Sequence, residues 1–344
     1  MKKQALVLAV IATLTIGLGA WLSQRPSNDK FEAVLMFDDL KKFANQVNSV
    51  EIKNAQGVLY SIKKTDERWL ANFELELPAY PISQTKLTDF IKSMISIKLV
   101  EAKTSKQQNY ARLGLQPIDI DDSMASLVIM KTNKQSWQVL VGNKVTLGEG
   151  HYILKPDDAQ SWRTDKTINL PLDKFSWLKR PILPYQVQDI ISISRVDSLD
   201  WHITKSANSD FYLINMPKDR ELEYPSILNS IVSNLISLDF ERLIRIDEDA
   251  VDEAAVDEDA VDEEFTQSLK VLTQLEVNTA EQKIFQMVVS ELDDKYYVNF
   301  TSKGPPDYWQ KWYYQISNFS AKQLIKTLDD FLVEEIKTTI PSNN

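Results

Sequence analysis

The chain has 344 residues, 43% of them hydrophobic, enough to bury one large core or two of ordinary size. Its net charge of −10 is local: Asp247 to Glu264 holds eleven acidic and no basic residues, and outside that run 39 basic residues face 38 acidic ones. That balance excludes the concentrated basic face of a nucleic-acid binder. The absence of cysteine excludes disulfides, thiol chemistry and a lipid anchor on cysteine.

The N-terminus opens M-K-K and continues with eighteen uncharged residues, Ala5 to Leu22. As a helix they span about 27 Å, close to the hydrocarbon thickness of a bilayer. Trp21 falls where an interfacial aromatic belongs, and the positive-inside bias keeps Lys2 and Lys3 in the cytoplasm. Residues 1–24 are therefore expected to form a single-pass anchor in a bacterial inner membrane, in contact with lipid over residues 4–22. The bulk of the chain then lies in the periplasm. A cleaved signal peptide is the alternative, since Gly17, Gly19 and Ala20 are small. Residues 25–46 read as a juxtamembrane spacer and helix. Within them Phe31 to Val47 is amphipathic, and its balanced charge favours packing over membrane contact.

A first domain is predicted over 47–180. Val50 and Ile52, then Val58, Tyr60 and Ile62, alternate with polar residues around N-A-Q-G, which gives a β-hairpin. A strand follows at 68–73, and Ser83 caps a helix over 84–97 whose stripe is Leu87, Phe90, Ile91, Met94 and Ile95. Then come Y-A-R-L-G-L-Q-P (110–117), strands at 126–131 and 135–141, G-N-K-V-T-L-G-E-G-H-Y-I (142–153), a strand near 161–163 and an amphipathic closing segment over 172–178. Pro181 and Pro184 stop any helix and mark the boundary at 180–186.

The second domain, 187–337, repeats the first. An offset of 141 residues sets Val50 on Ile191, Tyr60 on Trp201, Ile62 on Ile203, Leu87 on Leu228 and Met94 on Leu235. The copies part at the acidic insertion 247–264, a tandem of D-E-D-A-V, D-E-A-A-V and D-E-D-A-V. Like charges at this density repel, which predicts a solvated loop or fraying helix whose deletion leaves the melting temperature nearly unchanged. It has neither the glycine nor the ligand spacing of a dedicated Ca²⁺ loop. Strands at 269–277, 283–291, 295–301 and 312–316 and a final helix over 321–336 complete the domain. The fold class is thus α+β, an N-terminal transmembrane helix followed by two tandem, duplicated domains with antiparallel-rich sheets.

Residues with chemical potential are sparse. The two histidines, His151 and His202, have no second histidine or cysteine at ligand spacing, so no metal site is expected. No phosphate-binding, dinucleotide or nucleophile-elbow motif occurs, so no cofactor or catalytic residue is assigned. Asp121 and Asp122 read as a turn, and Gly114 as a residue supplying positive φ. The binding candidates are Tyr308, Trp309, Trp312 and Tyr313 in P-P-D-Y-W-Q-K-W-Y-Y, able either to stack on sugars or a partner or to fill the second core.

The hairpin with Trp69, Y-P-I-S (80–83), Y-x-x-L-G-L-x-P and G-N-K…G-E-G-H-Y-I together resemble the DUF4340 domain over most of 47–178. The resemblance implies an envelope protein held by one N-terminal helix, working beside ABC-transporter permeases or auxiliary envelope proteins. The family has no agreed activity, so the resemblance implies no catalytic residue. The expected function is a non-enzymatic accessory or scaffold protein. The alternative is a polysaccharide- or peptidoglycan-binding module using the Tyr308–Tyr314 aromatics.

Overall fold

A computed structural model describes residues 32–72, 79–206, 208, 210–246, 260–261, 263–301 and 308–334. Its first elements are β1 (Val34–Leu35), α1 (Leu40–Phe43), β2 (Ser49–Asn54), β3 (Gly57–Thr65), β4 (Arg68–Asn72), β5 (Tyr80–Pro81), α2 (Gln84–Ser96) and β6 (Lys98–Ala102). Then follow β7 (Ser126–Lys131), β8 (Ser136–Lys144), β9 (His151–Leu154) and β10 (Trp162–Thr164). The later elements are β11 (Ile190–Arg195), β12 (His202–Lys205), β13 (Phe211–Leu213), α3 (Ile227–Ile236), β14 (Arg242–Ile246), β15 (Ala260–Val261) and α4 (Glu263–Ser268). They end with β16 (Lys270–Thr279), β17 (Ile284–Leu292), β18 (Lys295–Phe300), β19 (Trp312–Ile316) and α5 (Asn318–Leu324).

The fold is α+β with two antiparallel sheets, the β14–β15 pair alone among those described running parallel. One sheet has the order β1-β6-β10-β9-β8-β7-β2-β3-β4-β5, the other β13-β12-β11-β16-β17-β18-β19-β14-β15. Read from their third hairpin strands, β4-β3-β2-β7-β8-β9-β10-β6 and β13-β12-β11-β16-β17-β18-β19-β14 are the same path. The offset that aligns the sequences carries β2 onto β11 residue for residue. Both paths close alike: Ile82 bridges Leu178 and Leu222 bridges Leu332, with Ser83 N–H donating to the Trp177 carbonyl and Glu223 N–H to that of Phe331. The chain also forms two compact units, one of residues 52–57 and 89–169 with the described residues up to 48, the other of 49–51, 58–88 and the described residues from 170 onward.

In the first unit β7 and β8 pair with Met130 opposite Trp137 and Val128 opposite Val139, so the alternation of the strands buries all four. Leu99, Met36 and Leu40 are buried as well. In the second unit Phe285, Phe300, Trp312 and Tyr314 of β17, β18 and β19 are buried, and so is a helical stripe on α3, Leu228, Ile231 and Leu235.

Three expectations are corrected. The helix expected over 31–47 is a two-residue strand, the four-residue α1 and a 3₁₀ turn; Val34 and Leu35 pair with Leu99 and Lys98, taking up backbone groups that a helix needs. The closing helix expected over 321–336 stops at Leu324 and is followed by a 3₁₀ turn at 329–331. The indole of Trp201 takes the Lys326 carbonyl (2.9 Å), and the Asp330 carboxylate accepts from the Thr327 N–H (2.7 Å) and hydroxyl (2.8 Å). The distant Trp201 indole and the nearby Asp330 carboxylate compete with i→i−4 bonding and end the helix. The acidic insertion lies mostly outside the described residues, but its last part is ordered as β15 and the start of α4. Ala260 and Val261 add to the edge of β14, and Phe265 packs on Tyr297 and Tyr313. Among the described residues no helix is long and apolar enough to cross a membrane; the expected anchor, residues 1–24, lies outside them.

Candidate functional site

The segment Y-x-x-L-G-L-x-P forms a 3₁₀ helix over Gln107–Leu113 that ends on Gly114 at φ 66°, the left-handed conformation that glycine adopts without strain. A Cβ on Gly114 would strike the Asn143 side chain. One on Gly142 would strike the Leu113 carbonyl and come within 2.8 Å of the Gly114 carbonyl. The two motifs are therefore locked backbone to backbone. At the start of β9, Gly150 (φ 111°) lies against the Thr164 carbonyl. The buried Thr164 hydroxyl accepts from the His151 N–H (2.8 Å) and donates to the Lys166 carbonyl (2.8 Å). His151 Nδ1 accepts from the Ile168 N–H (3.0 Å). Burial, with the Lys144 charge adding to it, holds the His151 pKa below its ordinary value and keeps the ring neutral, as an accepting Nδ1 requires. These motif residues do structural work on one another.

At the other end of β8 lies a cleft of about 430 Å³. Trp137 and Phe37, both buried, are among its lining residues. The Trp137 indole N–H donates to Asp39 (2.7 Å), which fixes the ring, and Phe43 packs 6.1 Å away. On the wall, Lys155 places its ammonium 5.7 Å from the Phe37 ring centroid. Asp158 is oriented by the Gln160 N–H (2.8 Å) and the Trp162 indole (3.3 Å). Asp157, Gln138 and Ser136 stand exposed on the rim.

The aromatic candidates lie elsewhere. Trp309 and Trp312 are 0% and 2% exposed and Tyr313 is 7% exposed, so these rings fill packing layers and present no stacking face to solvent. Trp309 stacks on Phe300 (4.8 Å), and Tyr308 meets Tyr80 edge-on (5.2 Å). Tyr313 lies on the outer face of its sheet, against Phe265 of α4 (5.6 Å). Burial raises the pKa of Tyr308, Tyr313 and Tyr314 alike, so each is a neutral phenol. Asp121 and Asp122 lie exposed in a turn, and His202 sits in β12 opposite Ser194. Among the described residues no group of three histidine or acidic side chains is placed to hold a metal. Sequence reasoning missed the cleft because its parts come from three separate segments; the one signal was the Trp137 position on β8.

A family profile described as "Domain of unknown function (DUF4340)" matches residues 76–260, more than half of the chain. The chain belongs to the DUF4340 family. The match contains both interlocked motifs and the cleft residues of β8 and beyond, and it continues through β11–β14. No curated protein and no solved structure matches this DUF4340 chain.

Proposed function

We propose that this protein is a non-enzymatic accessory or scaffold subunit of a bacterial envelope complex, associated with an ABC-type transporter permease or an auxiliary envelope protein. In this reading residues 4–22 hold it in the inner membrane, and two duplicated α+β domains stand in the periplasm. One observation carries the proposal: the residues that define the family resemblance are spent on fastening the backbone. Gly114, Gly142 and Gly150 each close against a neighbouring motif or strand, and His151 is held as a hydrogen-bond acceptor. A family marked by its framework fits a protein that works by presenting surfaces. The shared strand path and the paired closing bridges support the duplication. Of the rings in the glycan-binding alternative, Trp309, Trp312 and Tyr313 are buried and Tyr308 is half-buried, which weighs against it.

The test is crosslinking in intact membranes followed by purification through a C-terminal tag. A permease recovered above an unrelated anchored control is the expected result. In spheroplasts, external protease should degrade the chain beyond residue 30. Full protection of the chain in spheroplasts, or crosslinks to no membrane protein, would overturn the reading.

A further inference from the structure

We propose that the outer edge of β13 is a strand-addition site that takes an extended segment of a partner protein, with apolar side chains at alternate positions. The duplication supplies the comparison. In the first copy Lys64 and Ile62 of β3 face Trp69 and Ala71 of β4; in the second the aligned Lys205 and Ile203 of β12 face Phe211 and Leu213 of β13. The two third strands share one register, so the backbone groups of Phe211 and Leu213 point where those of Trp69 and Ala71 point.

In the first copy that direction is filled. β5 adds to β4 antiparallel, with Tyr80 opposite Ala71 and Pro81 opposite Leu70. The Ile82 N–H donates to the Trp69 carbonyl (3.1 Å), and Tyr80 and Ile82 are 1% and 5% exposed. In the second copy β13 ends its sheet. Among the described residues, the counterpart of β5 keeps the pairing on its far side alone. Leu222 bridges Leu332 as Ile82 bridges Leu178, and the Arg220 guanidinium donates to the Val333 carbonyl (2.9 Å). On β13 the Ile214 N–H donates to the His202 carbonyl (2.9 Å) and Tyr212 lies opposite Thr204. Antiparallel alternation then turns the N–H and carbonyl of Phe211 and Leu213 to the open edge, where no described residue bonds to them.

Sequence and exposure fit an unguarded edge. Edge strands are commonly protected by charge or proline. β5 carries Pro81 and β15 lies within the acidic insertion, whereas F-Y-L-I (211–214) has neither protection. Tyr212 and Ile214 are 47% and 58% exposed, alternating with the buried Phe211 and Leu213. An incoming strand extends the sheet through main-chain bonds and places apolar side chains opposite Leu213 and Phe211, as Tyr80 and Ile82 lie opposite Ala71 and Trp69. The first copy fills this edge with an extended segment and not with a folded neighbour, which favours a peptide over a second copy of the chain. The inference goes beyond the scaffold reading, which names no surface, and its test needs no permease, so either can fail alone.

The test uses the full chain in detergent and a synthetic peptide of residues 79–85, A-Y-P-I-S-Q-T. Calorimetry should give a Kd at or below about 1 mM, and hydrogen exchange should slow over 211–214 when the peptide is bound. Methylating the backbone nitrogen of the peptide's isoleucine removes the donor to the Phe211 carbonyl and should weaken binding about tenfold, with the protein untouched. Leu213→Pro removes an outward N–H at an edge position that tolerates proline, and should weaken binding as much where a melting curve shows it folded. The proposal is overturned if the peptide does not bind at about five times that concentration, if the N-methylated peptide binds equally, or if exchange slows over 68–72 and not over 211–214. It is also overturned if exchange over 211–214 slows with protein concentration alone, which would assign the edge to a second copy.

Discussion

Gly142 and Gly114 illustrate two different reasons for glycine. Gly142 is confined chiefly by backbone, the carbonyls of Leu113 and Gly114, with the Leu115 side chain close behind them. Gly114 is confined by its positive φ and by a side chain, that of Asn143. Gly142→Ala is therefore expected to cost at least about 2 kcal/mol with no second-site relief. Gly114→Ala costs about 1–2 kcal/mol for its backbone and more for the clash, and adding Asn143→Ala should return part of the clash. Denaturant melts of the two singles and the double check this; equal losses in the double and in Gly114→Ala would refute the contact. The φ of Gly114 was legible in L-G-L-x-P, because turn chemistry is local. Its partner Asn143 was not, because pairing between distant segments is set by tertiary packing. His151 adds a pH-dependent term. Its pKa is lowered in the fold, so its contribution is complete above the unfolded value, about 6.5, and is lost as pH falls through the folded value. The slope of stability against pH below about 6.5 should exceed that of His151→Gln, by at most about 1.4 kcal/mol per pH unit. Identical slopes would show that the Ile168 bond does not sense protonation.

At the scale of elements, the strands were read closely: those from 126 to 131 and 312 to 316 fall where alternation put them, because period two with β-branched and aromatic residues is a strong local signal. Helices at the edges of the domains were read less well. Leu324, Ile325, Leu328, Phe331 and Leu332 keep helical spacing, yet Trp201 and Asp330 divert the backbone between them, and no periodicity reveals a partner so far along the chain. The acidic insertion is the sharpest case. Composition read it as inert throughout, but its end supplies β15 and leads into α4, where Phe265 lies 5.2 Å from Tyr297 and 5.6 Å from Tyr313. Deleting 247–264 therefore takes away β15 and the first two residues of α4, and the melting temperature should fall by several degrees, contrary to the composition-based expectation. Phe265→Ala alone should cost about 1–2 kcal/mol, because the ring is half-buried. A deletion without effect would mean that this outer-face cluster contributes nothing to stability.

Across the whole molecule, the repeated path places equivalent aromatic pairs at equivalent points. Tyr60 packs on Trp177 (5.7 Å) and its hydroxyl accepts from the Trp177 N–H (2.8 Å); the aligned Trp201 packs on Phe331 (5.5 Å) and donates to the Lys326 carbonyl. The offset in the sequence made the first member of each pair legible. The closing partners were hidden because their segments share no alignable pattern. In the second unit Tyr80 meets Phe240, Tyr308 and Tyr314 edge-on, with the Arg180 guanidinium 4.1 Å from the Phe240 centroid and paired to Asp239 (2.5 Å). This unit thus holds at least three phenols, Tyr60, Tyr80 and Tyr314, whose pKa values burial raises above 10. The sign follows from which state releases protons first. Above pH 10 the unfolded chain ionises these phenols while the folded chain cannot, so their contribution is complete below about 10 and is lost as pH rises through the folded values. Three groups acting together give a slope of up to about 4 kcal/mol per pH unit, so unfolding should set in steeply above pH 10. Tyr80→Phe keeps the ring packing and removes one titrating group; at neutral pH it should cost about 1 kcal/mol or less, yet it should make the alkaline transition shallower. Tyr80→Ala should instead cost about 3–5 kcal/mol at every pH by leaving a cavity among the surrounding rings. Chemical denaturation from pH 7 to 11.5, followed by tyrosinate absorbance near 295 nm, separates the two. If all twelve tyrosines of the wild type ionise near pH 10 without loss of structure, these hydroxyls are open to water and the aromatic core is not packed as described.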